Sequence, residues 1–321
     1  MPLKKTWKFI KNLFTDFFDS NVMKLSGSLA FFTVFSLPGL LIIIIWFSNL
    51  FYGRQVVEDT VYKQIEGFIG HDAALNIQQT IHNATQAAGS NFATIVGIAS
   101  LVIGATSVFG EIQDSINLIW KLKARPRKGL AILKLVFNRL LSFSMIITLG
   151  FILLVSLVLN GAMDILLDRL TQRFPELTVI LVYIINLILT FLISTFIFGA
   201  IFKVLPDARV DWKHVKVGAA VTAFLFLVGK FLISYYLGHS RMTSAYGAAG
   251  SVIVVLMWVY YSAAILYFGA VFTRVYAIHT GSAIYPNSYA VWVKQVEVES
   301  QKSIQQQSEG KTVIKAPGTP S

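Results

Sequence analysis

Six apolar runs, at approximately 29–51, 92–113, 139–160, 179–202, 217–238 and 250–274, govern what this chain can fold into. Each is near the ~20 residues that a helix rising ~1.5 Å per residue needs to cross ~30 Å of hydrocarbon. Inside lipid a backbone must satisfy its own N–H and C=O groups, so each run is expected to be a helix. The expected fold class is therefore all-α, a polytopic membrane protein with six transmembrane helices. Composition agrees, because 55% of the 321 residues are hydrophobic and only 13% are charged, far from the balance of a soluble domain.

The basic residues orient these runs. Of 27 Lys and Arg, 21 fall before the first run, at 121–139, at 203–216, or from Arg274 onward. The alternate segments hold five, Arg54, Lys63, Arg169, Arg173 and Arg241, while Lys230 lies within a run. Basic residues accumulate on the inner side, so the expected topology is N-in/C-in. The net charge of +11 then reads as membrane topology, and no nucleic-acid partner is expected.

Three regions follow. Residues 1–28 form an N-terminal cytoplasmic segment in which Trp7, Ile10, Phe14, Phe17 and Phe18 share one side of a helical wheel and Lys4, Lys5, Lys8 and Lys11 the other. Two readings stand open: a helix lying among inner-leaflet headgroups, or one covering the cytoplasmic ends of the bundle. Residues 29–280 form the six-span domain, with an insert at 54–90 whose Val57, Val61, Ile65, Phe68 and Ile69 predict one or two amphipathic helices on the outer face. Residues 281–321, rich in Ser, Gln, Lys, Glu and Pro, form a cytoplasmic tail expected to be largely disordered, above all beyond Val298.

Lys230 is the sharpest single feature. An ionisable residue inside a span costs about 2.5–3.5 kcal/mol on insertion scales and by default marks a site or pathway. Counted from the outer surface, Asn186 and Ser100 fall at similar depth and Tyr260 somewhat below, a polar layer that could share a substrate-binding cavity with Lys230. Arg241 and Tyr246 sit at the outer mouth. The alternative is that Lys230 snorkels outward or bonds locally as structural glue. At the inner face Glu111 and Asp114, three residues apart on one helix, precede Lys121, Lys123, Arg125, Arg127 and Lys128. This is either an acidic gate beside a strip for anionic lipid headgroups or a solvated helix end. Pro38 interrupts the first run and is either a hinge or a packing kink.

Other chemistry finds no foothold. Cysteine is absent, and the five histidines, at 71, 82, 214, 239 and 279, lack metal-binding spacing. No phosphate loop or nucleophile–base pair is present, so neither enzyme activity, a cofactor nor a metal is expected.

The run Leu205-Pro206-Asp207-Ala208-Arg209-Val210-Asp211-Trp212, then Gly218-Ala219-Ala220, Gly229-Lys230-Phe231 and Tyr236, resembles the YihY/BrkB family of bacterial inner-membrane proteins. Ala245 through Ser251, Trp258 and Gly269-Ala270 extend the likeness, as do Ser28 through Phe32, Ser36-Leu37-Pro38 and the stretch from Ser107 to Trp120 with Glu111 and Asn117. It covers roughly residues 15–280. The resemblance implies a six-span inner-membrane protein, from a family formerly labelled ribonuclease BN-like, with roles in transport or envelope function. One departure is Val271, where many relatives are expected to carry an acidic or amide residue.

These readings converge on a multi-pass protein of the bacterial inner (plasma) membrane that moves an anionic amphiphile or small solute. The other possibility is a non-transporting envelope scaffold. Membrane lipids with anionic headgroups are the expected partners, and a homo-oligomer is possible.

Overall fold

The computed structural model describes residues 2–51, 75, 91–124, 175–239, 248–282, 284–287 and 290–293. Five of the apolar runs lie in long helices: α2 (Val22–Phe51), α3 (Asn91–Ile119), α4 (Pro175–Val204), α5 (Trp212–His239) and α6 (Ala248–His279). A shorter helix, α1 (Pro2–Asp19), precedes them. The run at 139–160 and all but Leu75 of the 54–90 insert lie outside the described residues.

Among the described residues, three stretches are long and apolar enough to cross a membrane: Ile184–Val204, Trp212–Ile233 and Val252–His279. Their apolar side chains do not all turn inward. Ile188, Leu192 and Phe196 of α4 and Phe224, Phe231 and Leu232 of α5 are exposed. A helix apolar on all sides, with this much of its surface uncovered, suits lipid as its solvent.

Most helices outrun their apolar run chiefly at the end carrying the basic segments. There they pack on one another, because these extensions have no lipid to face. The densest core lies at this basic end, where Ile116, Ile119, Trp120, Phe202, Val215, Tyr267, Val271 and Ile284 are almost wholly buried.

Helix α2 packs on α3, α5 packs on α4 and α6, and α6 also packs on α2. The α5–α6 seam is antiparallel and unusually close. A Cβ on Gly218 would collide with Thr273, and one on Gly269 with Thr222. The two helices thus exchange a glycine for a threonine, each Gly receiving the partner's Thr, the small-residue contact typical of helices packed without a hydrophobic driving force. Thr222 and Thr273 donate to the carbonyls of Gly218 and Gly269 on their own helices, both at 2.7 Å, so neither hydroxyl is stranded. Helix α2 continues through Pro38. In the turns before it, Thr33 and Ser36 hydroxyls bond the carbonyls of Leu29 and Thr33 at 2.8 and 2.7 Å.

Helix α1 packs on the bundle by one face and leaves another apolar face uncovered. It lies along the second half of α6, burying Leu13 and setting Phe9 edge-on to Phe272 and Phe17 edge-on to Phe268, with centroids 5.6 and 5.8 Å apart. The helix therefore has three faces. Phe17 belongs to the packed one, while Trp7, Ile10, Phe14 and Phe18 are exposed and Lys5, Lys8, Asn12 and Thr15 form the third. The wheel had merged two apolar faces, because both contain aromatic residues at helical spacing.

The helix ends show why the chain turns where it does. Asn21 (φ 51°) closes α1, and Gly281 (φ 79°) closes α6 with Gly281 N–H bonded to Ile278 O and Ser282 N–H to Ala277 O, at 3.2 and 3.0 Å. This double bond pattern around a left-handed residue caps carbonyls that the helix leaves unpaired.

Among the described residues, four short strands add to the expected all-α fold. Strand β1 (Leu122–Ala124) pairs antiparallel with β4 (Ala290–Trp292), placing Lys123 opposite Val291. Strand β2 (Ala208–Arg209) pairs with β3 (Tyr285–Pro286), placing Arg209 opposite Tyr285. The beginning of the tail, through Val293, is thus ordered, while the stretch beyond Val298 lies outside the described residues. The composition of the ordered part is polar, but Ile284 and Ala290 are buried and anchor it against the basic end.

Candidate functional site

The polar chemistry at the basic end gathers around Asp207. Proline disfavours the helical conformation in the residue before it, so Pro206 ends α4 and turns the chain into a short loop. Asp207 in that loop is 2% exposed. Its Oδ1 accepts from Gln113 Nε2 at 3.2 Å and its Oδ2 from Asn117 Nδ2 at 3.1 Å. Asp207 N–H donates to Asn117 Oδ1 at 2.8 Å, and its carbonyl accepts from Asn287 N–H at 3.0 Å. Gln113 and Asn117 are four residues apart and so share one face of α3. A buried carboxylate is costly unless hydrogen-bonded, and here both oxygens are met by amide donors. The arrangement ties α3, the α4–β2 loop and the tail together.

Other polar contacts extend this layer. Trp120 Nε1 donates to Ala270 O at 2.9 Å, fixing the end of α3 to α6. Val271, next to that carbonyl, is completely buried, so an apolar side chain is what this packing accepts. Arg274 Nη1 meets Asp16 Oδ2 at 2.7 Å, joining α6 to α1, with side-chain exposures of 9% and 22%. Thr280 Oγ1 lies 2.9 Å from His214 Nε2 and also donates to the carbonyls of Tyr276 and Ala277. Lys203 Nζ donates to Val210 O at 2.5 Å and sits 5.6 Å from the centre of the Trp212 ring.

Lys230 is half-buried on α5, next to Gly229, where the Tyr261 side chain leaves no room for a Cβ. Asn186 is exposed and its Oδ1 accepts from Thr190 on the same helix at 3.2 Å. Tyr260 is also exposed and its hydroxyl donates to Met23 Sδ at 3.4 Å, directing it toward α2. Ser100 lies on the α3 backbone and Pro38 on that of α2, while Arg241, Tyr246, Arg125, Arg127 and Lys128 lie outside the described residues. Glu111 is half-buried and Asp114 exposed. Lys121 is an exposed residue with φ 57° that ends α3, and its carbonyl receives Val293 N–H at 2.8 Å. Lys123 is exposed on β1.

The structure therefore brings together Gln113, Asn117 and Asp207, which sequence reasoning had not assigned to a site. A signal was present: two amide side chains at positions i and i+4, ending an otherwise apolar run, need a buried partner. The partner lies 90 residues away, and nothing in its own surroundings announces the match.

Comparison with known proteins gives a consistent answer. A family model described as Virulence factor BrkB matches residues 13–288. A UPF0761 membrane protein of Teredinibacter turnerae is 25% identical over 275 residues, covering 85% of this chain and 61% of that protein. Another, of Tolumonas auensis, is 26% identical over 256 residues and 78% of each chain. A third, of Psychromonas ingrahamii, is 25% identical over 281 residues, covering 84% of this chain and 87% of that one. The chain spans about three fifths of the length of the first relatives it matches. No solved structure matches it.

Proposed function

This chain belongs to the Virulence factor BrkB family of membrane proteins, and from that premise we propose that it spans the bacterial inner membrane six times, N-in/C-in, and moves or reorients an anionic amphiphile or small solute. No enzymatic step is part of this reading. The observation that carries it is Lys230, a half-buried cationic side chain on α5 within a stretch long and apolar enough to cross a membrane. Keeping such a residue there costs about 2.5–3.5 kcal/mol on insertion scales, which favours a role in recognising negative charge. Gly229 beside it lets the Tyr261 hydroxyl approach, adding a polar group to the same stretch of α5.

The test is flux through vesicles containing the purified full chain, measured for a fluorescent anionic phospholipid and for small organic anions, with Lys230→Met alongside. The reading expects flux that the substitution reduces on the order of tenfold or more, as loss of one charge-recognising contact implies. Undiminished flux in the variant removes Lys230 from the mechanism. Absence of flux for every class favours the other reading, an envelope scaffold, which the tight closure of the basic end around Trp120, Phe202 and Tyr267 supports.

A further inference from the structure

A cleft of about 650 Å³ lies between the third face of α1 and the end of α6, lined by Lys5, Lys8, Asn12, Thr15, Asp16, Val275, Ile278 and His279. Its polar wall is rich in donors: two ammonium groups, an amide, a hydroxyl and an imidazole. The one carboxylate in the wall, Asp16, is already engaged by Arg274 at 2.7 Å, so its charge is largely offset where an anion would sit. Val275 and Ile278 supply an apolar floor. The opposite side of α1 exposes Trp7, Ile10, Phe14 and Phe18, an apolar stripe suited to the lipid interface.

We propose that this cleft is a binding site for a phosphate-bearing anion, with Lys5 and Lys8 clamping the phosphate and Asn12, Thr15 and His279 completing its hydrogen bonds. The apolar floor and the stripe on α1 favour the headgroup of an anionic phospholipid as its source over free phosphate. Two lysines one helical turn apart present their charges to the same side, as a tetrahedral anion requires. The Asp16–Arg274 pair joins α1 to α6 beside the cleft. The site is distinct from Lys230 and stands whether or not the protein transports anything.

Native mass spectrometry of the full chain in detergent, with phosphatidylglycerol or phosphatidylcholine added, reads the site directly. Selective retention of phosphatidylglycerol is expected in the wild type. Lys5→Gln with Lys8→Gln should lower it on the order of tenfold or more, each lysine beside an anionic group being worth roughly fivefold. Lys11→Gln with Lys24→Gln removes the same charge from exposed positions outside the cleft and should leave retention within about twofold, since surface charges away from the site act only weakly. Thr15→Phe keeps both lysines, fills the cleft and should also abolish selectivity. Displacement of the lipid by inorganic phosphate, lost in the Lys5/Lys8 variant, would support the site and assign it a soluble ligand. Equal losses in the two lysine pairs, or full retention after Lys5/Lys8 or Thr15 substitution, would overturn it.

Discussion

Asn117 and Asp207 bind each other twice, the Asn117 amide donating to the Asp207 carboxylate at 3.1 Å while its oxygen accepts the Asp207 backbone N–H at 2.8 Å. A two-way contact of this kind fixes both the side chain and the backbone of the α4–β2 loop. Replacing Asn117 with Leu strands a buried carboxylate oxygen and a buried N–H together, at a cost of about 3 kcal/mol or more. Gln113→Leu removes one donor and should cost about 1–2 kcal/mol. Thermal unfolding of the purified protein in one detergent should rank wild type, Gln113→Leu and Asn117→Leu in that order of decreasing stability. The reverse order would mean that the Asn117 contact with the loop backbone contributes nothing to stability.

The glycine–threonine exchange between α5 and α6 makes a second prediction. Gly269→Ala drives a methyl group into Thr222, and Gly218→Ala drives one into Thr273. Each should destabilise by about 1–3 kcal/mol, the usual cost of overpacking. Combining Gly269→Ala with Thr222→Gly moves the small residue to the other helix and should recover part of that loss. If the double variant is no better than the single, the two helices do not meet at these residues.

The Arg274–Asp16 pair should respond asymmetrically. Asp16→Asn leaves a guanidinium whose side chain is 9% exposed without its charge partner, whereas Arg274→Met leaves a carboxylate that is 22% exposed and can recruit water. The first should therefore cost more, about 2–3 kcal/mol against about 1, after allowing for screening at the more exposed partner. Denaturation in mild detergent checks the order. Both changes should also make α1 easier to cleave with protease.

The absence of cysteine permits a direct topology measurement. Single replacements Ser240→Cys and Ser308→Cys need no background mutation. A membrane-impermeant maleimide should label Ser240→Cys in intact spheroplasts and Ser308→Cys only after lysis. Labelling of both in intact cells would contradict the N-in/C-in arrangement.

The parts legible in the sequence are those set by local patterning. Apolar runs give helices, because lipid leaves the backbone no other partner, and α2 to α6 follow them closely. The parts that were not legible depend on distant partners. The order of β3 and β4 at the start of the tail is borrowed from β2 and β1. The three faces of α1 could not be separated from its wheel alone, since only the position of α6 distinguishes Phe17 from Phe14 and Phe18. Lys121 drew notice for its charge, whereas its described role is conformational, ending α3 in a left-handed turn.

The pairing of β1 with β4 also sets a timetable. Leu122 emerges from the ribosome some 170 residues before its partner Trp292, a gap long enough for every later helix to be inserted first. Until then the edge of β1 has no strand to meet, and Lys121 O lacks the Val293 N–H that it accepts in the finished protein. A segment made after all the described long helices is thus the one that closes this end, so a chain stopped before Ala290 would lack the pairing that completes it.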